Sequence, residues 1–234
     1  MKITIIYGTT RKSITYTYVK IILNQLNAKI DSQLTEFFLP KDLPYFSNGY
    51  LLTLEDTFPY FEEYITPIMK ALEESDFIIL ASPIYTCDES INMKLLLNIL
   101  SYRWMPHREN RPSMSDKIGL VVSINNGIGL YDTTKVMTNS LRFWGLKNIY
   151  KISNSESSMG LKTVDLETRR RINQEIHIKV NRILETNDHL DNIIPYKSFK
   201  SILESIKSIH RENSSNITDL NNWKNKKYLS NQKH

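Results

Sequence analysis

The stretch "DFIILASP", residues 76 to 83, places five consecutive apolar residues between an acid and a Ser-Pro pair. A strand formed here has no polar face to turn toward water, so it must be covered on both sides. That is how a strand inside a parallel sheet reads, with helices packed over each face. Ile3 to Tyr7 has the same character, as does "KIGLVVSINNG" (117 to 127), which runs into a glycine turn. "LTEFFLP" (34 to 40), ended by Pro40, and "NIYKIS" (148 to 153) complete a set of five strands.

Between them lie segments with helical spacing. Val19, Ile22, Leu23 and Leu26 predict an amphipathic helix over Ser13 to Ala28. Glu55 to Ser75 is helical in composition, with Pro59 and Pro67 expected to delay or kink it. Ile91 to Tyr102, Thr133 to Phe143 (capped by Gly145) and the charged run Leu166 to Leu184 supply three more. Strands alternating with helices require right-handed crossovers, hence an α/β fold with a doubly wound parallel sheet. Gly8, Gly127 and Gly129 all follow strand C-termini, the edge where open sheets of this kind bind ligands.

The 234 residues, 41% of them hydrophobic, can build one sizeable core with an appendage. We expect a main domain over 1–190 and a basic, amphipathic helical tail over 191–234. The apolar stretch after Lys2 is too short for a signal peptide, and no apolar run can span a bilayer, so a cytoplasmic protein without an integral membrane segment is expected. Cys87 is the single cysteine and the five histidines are scattered, which leaves no metal-binding motif. The net charge of +5 lies wholly beyond Pro195, where eight Lys/Arg face three Asp/Glu. The body is balanced at 22 of each sign (30 minus 8 and 25 minus 3), so no nucleic-acid face is indicated.

Chemistry concentrates where the first strand meets the first helix. "YGTTRKSITY" (7 to 16) packs hydroxyls and two cations into a connection that needs few polar residues. At a helix N-terminus several backbone N–H groups lack intrahelical partners and the macrodipole is positive, which favours a phosphate dianion. Thr9, Ser13, Thr15 and Arg11 can encircle one; the bland alternative is that Ser13 merely caps the helix, a task for one hydroxyl. The stretch is not a G-x-x-x-x-G-K-[ST] loop, which argues against a nucleoside-triphosphatase. "SPIYTCDESINMKLLLNIL" (82 to 100) offers an apolar wall and an aromatic at Pro83, Ile84 and Tyr85, or else a capped loop with Tyr85 in the core. "SINNGIGLYD" (123 to 132) offers Asn125, Asn126 and Gly127 as donors to a heteroaromatic ring, or else a simple turn.

In order and spacing, these motifs resemble the flavodoxin-like NAD(P)H-dependent FMN reductases, including the branch related to iron–sulfur flavoproteins. "GTTRKSIT" (8 to 15) is similar to that family's GSPRKxSxT loop, "SPIYTCDESINMKLLLNIL" to its SPxY…LKxFxDR, and "NNGIG" (125 to 129) follows the fourth strand; the likeness spans residues 2 to about 185. It implies strand order 2-1-3-4-5 and a helical C-terminal extension. It also implies FMN as cofactor, with its phosphate on Thr9, Arg11, Ser13, Thr15 and Tyr16. Pro83, Ile84 and Tyr85 would flank the isoalloxazine ring, and Asn126 and Gly127 would face its pyrimidine edge. NADPH or NADH is implied as transient hydride donor, a quinone, nitro compound, flavin or similar small molecule as acceptor, and a homodimer as assembly. No side chain is required as acid or base, so no catalytic residue is named.

Two departures stand out. "LPYFSNGYLLTLED" (43 to 56) carries no cysteine where the iron–sulfur branch has its cluster, and Asn98-Ile99 replaces the family's Asp-Arg. Cys87, close to the expected ring position, has no second cysteine to resolve it, so a structural role is expected. The tail segment 196–213 sets Phe199, Ile202, Leu203, Ile206 and Ile209 on one helical face; amphipathic and basic, it suits a membrane surface or, more commonly, packing on the body or a second subunit, and "DLNNWKNKKYL" (219 to 229) is similar to the tails of some relatives. Two other functions fit the same fold. A one-electron carrier like flavodoxin is usually short and strongly acidic, unlike this chain. A flavin-free binding module remains open through Thr9 and Asn98.

Overall fold

The computed structural model describes residues 1–44, 61–85, 88–101, 103–104, 113–125, 130–155 and 166–186. Five strands form one all-parallel sheet in the order β2-β1-β3-β6-β7: β1 (Lys2–Tyr7), β2 (Gln33–Phe38), β3 (Phe77–Ala81), β6 (Ile118–Asn125) and β7 (Asn148–Ser155). Counted among core strands alone this is 2-1-3-4-5, the order the resemblance implies. Sequence reading did not anticipate a small antiparallel hairpin between β3 and the next helix. It comprises β4 (Ile84–Tyr85) and β5 (Asp88–Glu89), with Ile84 opposite Glu89.

The period-2 geometry of each strand divides its side chains between two cores. Ile3, Ile5, Phe77, Ile79, Leu120 and Val122 point toward α1 (Ile14–Asn27) and α5 (Leu166–Thr186), where they meet Val19, Ile22, Leu26, Ile176 and Val180. Ile6, Ile78, Leu80 and Val121 point the other way, against α2 (Thr66–Glu74), α3 (Ile91–Leu100) and α4 (Leu130–Trp144). Because the central strands are covered on both faces, all five residues of β3 are buried, as its unbroken apolar run requires.

Helix boundaries differ modestly from the sequence expectations, each for a local reason. The helix expected over 55 to 75 is described from Phe61: one π-helical turn, Phe61–Ile65, leads into α2, with Pro67 in its first turn. Pro67, lacking an N–H, sits where the π-helical turn passes into the α-helix, so the change of hydrogen-bond pattern falls at the residue that cannot donate. Pro59 lies outside the described residues. α4 begins at Leu130, three residues before the expected Thr133, and ends at Trp144, followed by Gly145, whose positive φ of 105° is the conformation that closes a helix C-terminus. The tail expected to form a helix, 191–234, lies outside the described residues.

Candidate functional site at the C-terminal edge of the sheet

The strand order reverses direction at β1, between β2 and β3, so the loops leaving β1 and β3 open a crevice at their C-terminal ends. Backbone bonds tie these ends together. Gly8 donates its N–H to the Ala81 carbonyl (2.8 Å), Leu39 to Tyr7 (2.9 Å) and Ser82 to Val122 (3.1 Å). The Thr9, Arg11, Ser13 and Thr15 loop is thereby set beside the Pro83–Ile84 segment.

Ser13 occupies the N-cap position of α1 with extended backbone, φ −85° and ψ −171°, yet its side chain makes no capping bond. Its Oγ is buried without a hydrogen-bond partner, and so is Oγ1 of Thr15, a residue only 2% exposed. The simple-cap reading of Ser13 therefore fails. An unmatched buried hydroxyl costs roughly 1–3 kcal/mol, and here two lie within the first turn of a helix whose terminal N–H groups also lack intrahelical acceptors. No acidic residue occupies that turn to neutralise the dipole. The loop folds on itself: Ser13 N–H reaches the Arg11 carbonyl at 2.8 Å, and Arg11 N–H reaches Thr9 Oγ1 at 3.2 Å. The side chains of Arg11 and Lys12 are exposed. Two buried donors, free helix amides and nearby cations suit an anion with several acceptor oxygens, which is what the phosphate of FMN presents.

Tyr16 takes a different place from the hydroxyls. Its ring packs against Tyr7 (centroids 5.3 Å apart) and Phe38 (6.2 Å), with the Lys12 and Lys20 ammonium groups 5.5 and 5.3 Å from its centroid. Tyr7 in turn stacks on Phe38 at 4.5 Å and donates its hydroxyl to Glu36 Oε1 (2.8 Å), which also accepts from Lys20 Nζ at 2.9 Å. Burial, then the Glu36 hydrogen bond and charge, push the Tyr7 phenol far above its ordinary range. Tyr16 thus braces the first turn of α1 from the β2 side.

A serine network holds the edge. Ser90, the N-cap of α3 and 3% exposed, donates Oγ–H to the Gly8 carbonyl at 2.6 Å and accepts from Met93 N–H at 3.2 Å. Its own N–H reaches Ser82 Oγ at 2.9 Å, Ser82 Oγ donates to the Pro83 carbonyl at 3.0 Å, and Ser123 Oγ of β6 donates to the Ser82 carbonyl at 3.0 Å. The ends of β1, β3 and β6 are joined through three buried hydroxyls. A Cβ on Gly8 would stand 2.4 Å from Ser90 Oγ and 2.9 Å from Ser82 Oγ, so this glycine is fixed by close approach.

Of the residues singled out from sequence, Thr9, Arg11, Ser13, Thr15 and Tyr16 share the loop and first turn after β1, and Pro83 and Ile84, both half-buried, adjoin them after β3. Tyr85 occupies the second position of β4. Asn126, Gly127 and Cys87 lie outside the described residues. Ser90 and Ser123 were missed. A serine ahead of an apolar helical run does signal an N-cap, but nothing local reveals that the same hydroxyl reaches across to Gly8, 82 positions earlier. Among the described residues no group of His, Cys, Asp and Glu is placed to hold a metal ion, and no helix is long and apolar enough to cross a membrane.

Comparison with known proteins bears on the family and the fold. A family model described as NADPH-dependent FMN reductase matches residues 1–156. No curated protein sequence matches. Among solved structures, the chain is similar to the apo form of an NADH:FMN oxidoreductase, EmoB: TM-score 0.55, 17% identity, 85% of this chain and 92% of that one. It is also similar to an FMN-dependent NADH-azoreductase from Bacillus anthracis in complex with FMN (TM-score 0.59, 13% identity, 78% and 99% coverage). A third is FerB, an NAD(P)H:acceptor oxidoreductase from Paracoccus denitrificans (TM-score 0.52, 15% identity, 79% and 97% coverage). At these identities the structural likenesses establish the fold.

Proposed function

This chain belongs to the NADPH-dependent FMN reductase family, and on that premise we propose that it carries electrons from a nicotinamide to a small conjugated acceptor such as a quinone, nitro compound, azo compound or free flavin. FMN is the cofactor and NADPH or NADH the hydride donor. The observation that carries the reading is the pair of buried, unpartnered hydroxyls at the N-terminus of α1, Ser13 Oγ and Thr15 Oγ1.

Bound FMN supplies the two-electron redox chemistry that links donor to acceptor. The chain's own residues bind and orient. Ser13 and Thr15 hydroxyls and the first α1 amides receive the phosphate; Thr9 closes the loop through Arg11 N–H, and the Arg11 side chain adds charge from the solvent side. Tyr16 fixes that turn by packing on Tyr7 and Phe38. Pro83, Ile84 and Tyr85 would form the platform for the ring, and on the resemblance Asn126 and Gly127 would supply donors to its pyrimidine edge. A homodimer in the cytoplasm is the assembly and location proposed.

The test is the visible spectrum of the purified protein, before and after adding FMN, then with anaerobic NADPH and NADH. Flavin bands that bleach on adding either nucleotide support the reading and choose the donor. Bands that bleach only with dithionite replace it with an electron carrier. A protein that takes up no flavin after reconstitution overturns it.

A further inference from the structure

We infer that Ser90 is a positioning residue for the cofactor, a clasp that fixes the distance between the phosphate loop after β1 and the ring platform after β3. The inference rests on the FMN reading above. FMN is long: its phosphate and its ring engage different loops, and binding both ends at once requires those loops to stand at one separation. Ser90 touches both. Its hydroxyl donates at 2.6 Å to the carbonyl of Gly8, the residue that opens the phosphate loop. Its amide is held at 2.9 Å by Ser82 Oγ, the residue that opens the platform, and Ser82 also bonds the Pro83 carbonyl.

The clasp is buried and closely fitted. Ser90 is 3% exposed and Ser82 fully buried, so water cannot substitute for either hydroxyl. No side chain but hydrogen fits at Gly8, because a Cβ there would meet both serine oxygens. On the far side, Ser123 Oγ anchors the Ser82 carbonyl to β6. The Gly8 carbonyl is thus referenced to the central strands rather than left to the loop. Loops held in their bound arrangement spare the ligand the cost of ordering them. Ser90 also caps α3 through Met93 N–H; that duty alone would act on stability, without regard to the length of a ligand.

The distinction gives the experiment. With full-length apoprotein, dissociation constants are measured for three probes: FMN, riboflavin and inorganic phosphate. FMN and riboflavin are followed by quenching of flavin fluorescence, and phosphate by competition with FMN. FMN spans both loops; phosphate engages only the first, and riboflavin lacks the group that anchors there. Ser90→Ala should weaken FMN about tenfold, the scale of one lost buried hydrogen bond, and riboflavin and phosphate by less than about twofold. Equal losses for all three probes would reduce Ser90 to a structural cap, and unchanged FMN affinity would remove it from the site; either outcome overturns the clasp. If Ser90→Ala fails to fold, Ser82→Ala slackens the same clasp from the platform side and should show the same length-dependent pattern at smaller size, with equal or absent losses again overturning it. Wild-type protein that binds no FMN overturns the flavin reading, and the clasp with it. Wild-type binding beside an equally tight Ser90→Ala overturns the clasp alone.

Discussion

Where the strands begin, Lys117 Nζ donates to the backbone carbonyls of Glu73 and Ser75, the Glu73 carboxylate accepts from Arg103 Nε at 2.6 Å and from Trp104 Nε1 at 3.2 Å, and Asp76 Oδ2 accepts from Lys2 N–H at 2.7 Å. Where the same strands end, Ser13 Oγ and Thr15 Oγ1 are buried with no partner. Unmatched buried atoms also occur away from that edge: the indole N–H of Trp144, in an apolar cluster against the Trp104 ring at 4.7 Å, and, among the described residues of α1 and α5, Gln25 Oε1 and Arg169 Nε. A groove of about 410 Å³ also opens at the first end, between Lys2, Gln33, Phe37, Pro67 and Lys70, but its charged groups pair with each other, as Lys2 and Lys70 do with Glu74. Concavity alone therefore does not mark a site. Ser13 and Thr15 are set apart because their unmatched hydroxyls share one helix N-terminus with free backbone N–H groups, where a ligand can recover the cost.

The difference between the ends can be tested by substitution. The largest effect is expected at Gly8→Ala, where the new Cβ would overlap two serine oxygens, one at 2.4 Å. Overpacking of this kind should cost about 3 kcal/mol and abolish FMN uptake, read by urea unfolding and flavin titration. A stable, flavin-binding Gly8→Ala protein would mean that the serine network yields easily. Next is Glu73→Ala at the opposite end. Removing the acceptor of the fully buried Trp104 indole should lower stability by about 2 kcal/mol, with FMN affinity of the folded protein unchanged. A parallel loss of affinity would show that the two ends are not separable.

Thr15→Val should do the reverse. The hydroxyl it removes has no partner in the chain, so the apoprotein should hold its stability or gain up to about 1 kcal/mol. FMN affinity should fall about tenfold, the equivalent of one charge-assisted hydrogen bond. Stability and affinity moving in opposite directions is the signature of a group kept for a ligand. Lower apoprotein stability with unchanged FMN binding would make Thr15 an ordinary core residue.

The parts of this molecule legible in its sequence are those governed by local pattern. Continuous apolar runs announced the central strands, and 3.6-residue spacing announced α1, because burial on one face or two leaves a periodic trace. The crowding of hydroxyls at Thr9, Ser13 and Thr15 was legible for the same reason: it exceeds what a turn needs. Tyr16 shows where such reading weakens. It belongs to the same motif, yet its ring packs on Tyr7 and Phe38, and Phe38 arrives from β2 through a strand pairing that no local pattern specifies. The hairpin β4–β5 has strands two residues long, too short to show any period. Ser90 was invisible as a clasp because its partner Gly8 is brought to it only by the order of strands in the sheet.

The smallest effect concerns the satisfied polar cluster that backs the loop after β1, and it is read in pH. Tyr7 donates to Glu36 Oε1, and Lys20 Nζ bonds both Glu36 oxygens, at 2.9 and 3.1 Å. Burial, reinforced by Glu36, raises the Tyr7 phenol; for Lys20, burial pulls downward but the hydrogen bond and charge of Glu36, with Tyr16, carry it net upward. In the unfolded chain tyrosine and lysine lose their protons above about pH 10, while the folded protein still holds both. The folded state then binds more protons, so stability falls as pH rises through that range. The urea midpoint of the apoprotein should therefore decline between about pH 10 and 11. Glu36→Gln, which lowers both groups toward their ordinary values, should flatten the decline. An equally steep decline in Glu36→Gln would place its origin elsewhere in the fold. A flattened one would show that Tyr7, Lys20 and Glu36 satisfy one another beside the loop after β1, in contrast to the hydroxyls of Ser13 and Thr15.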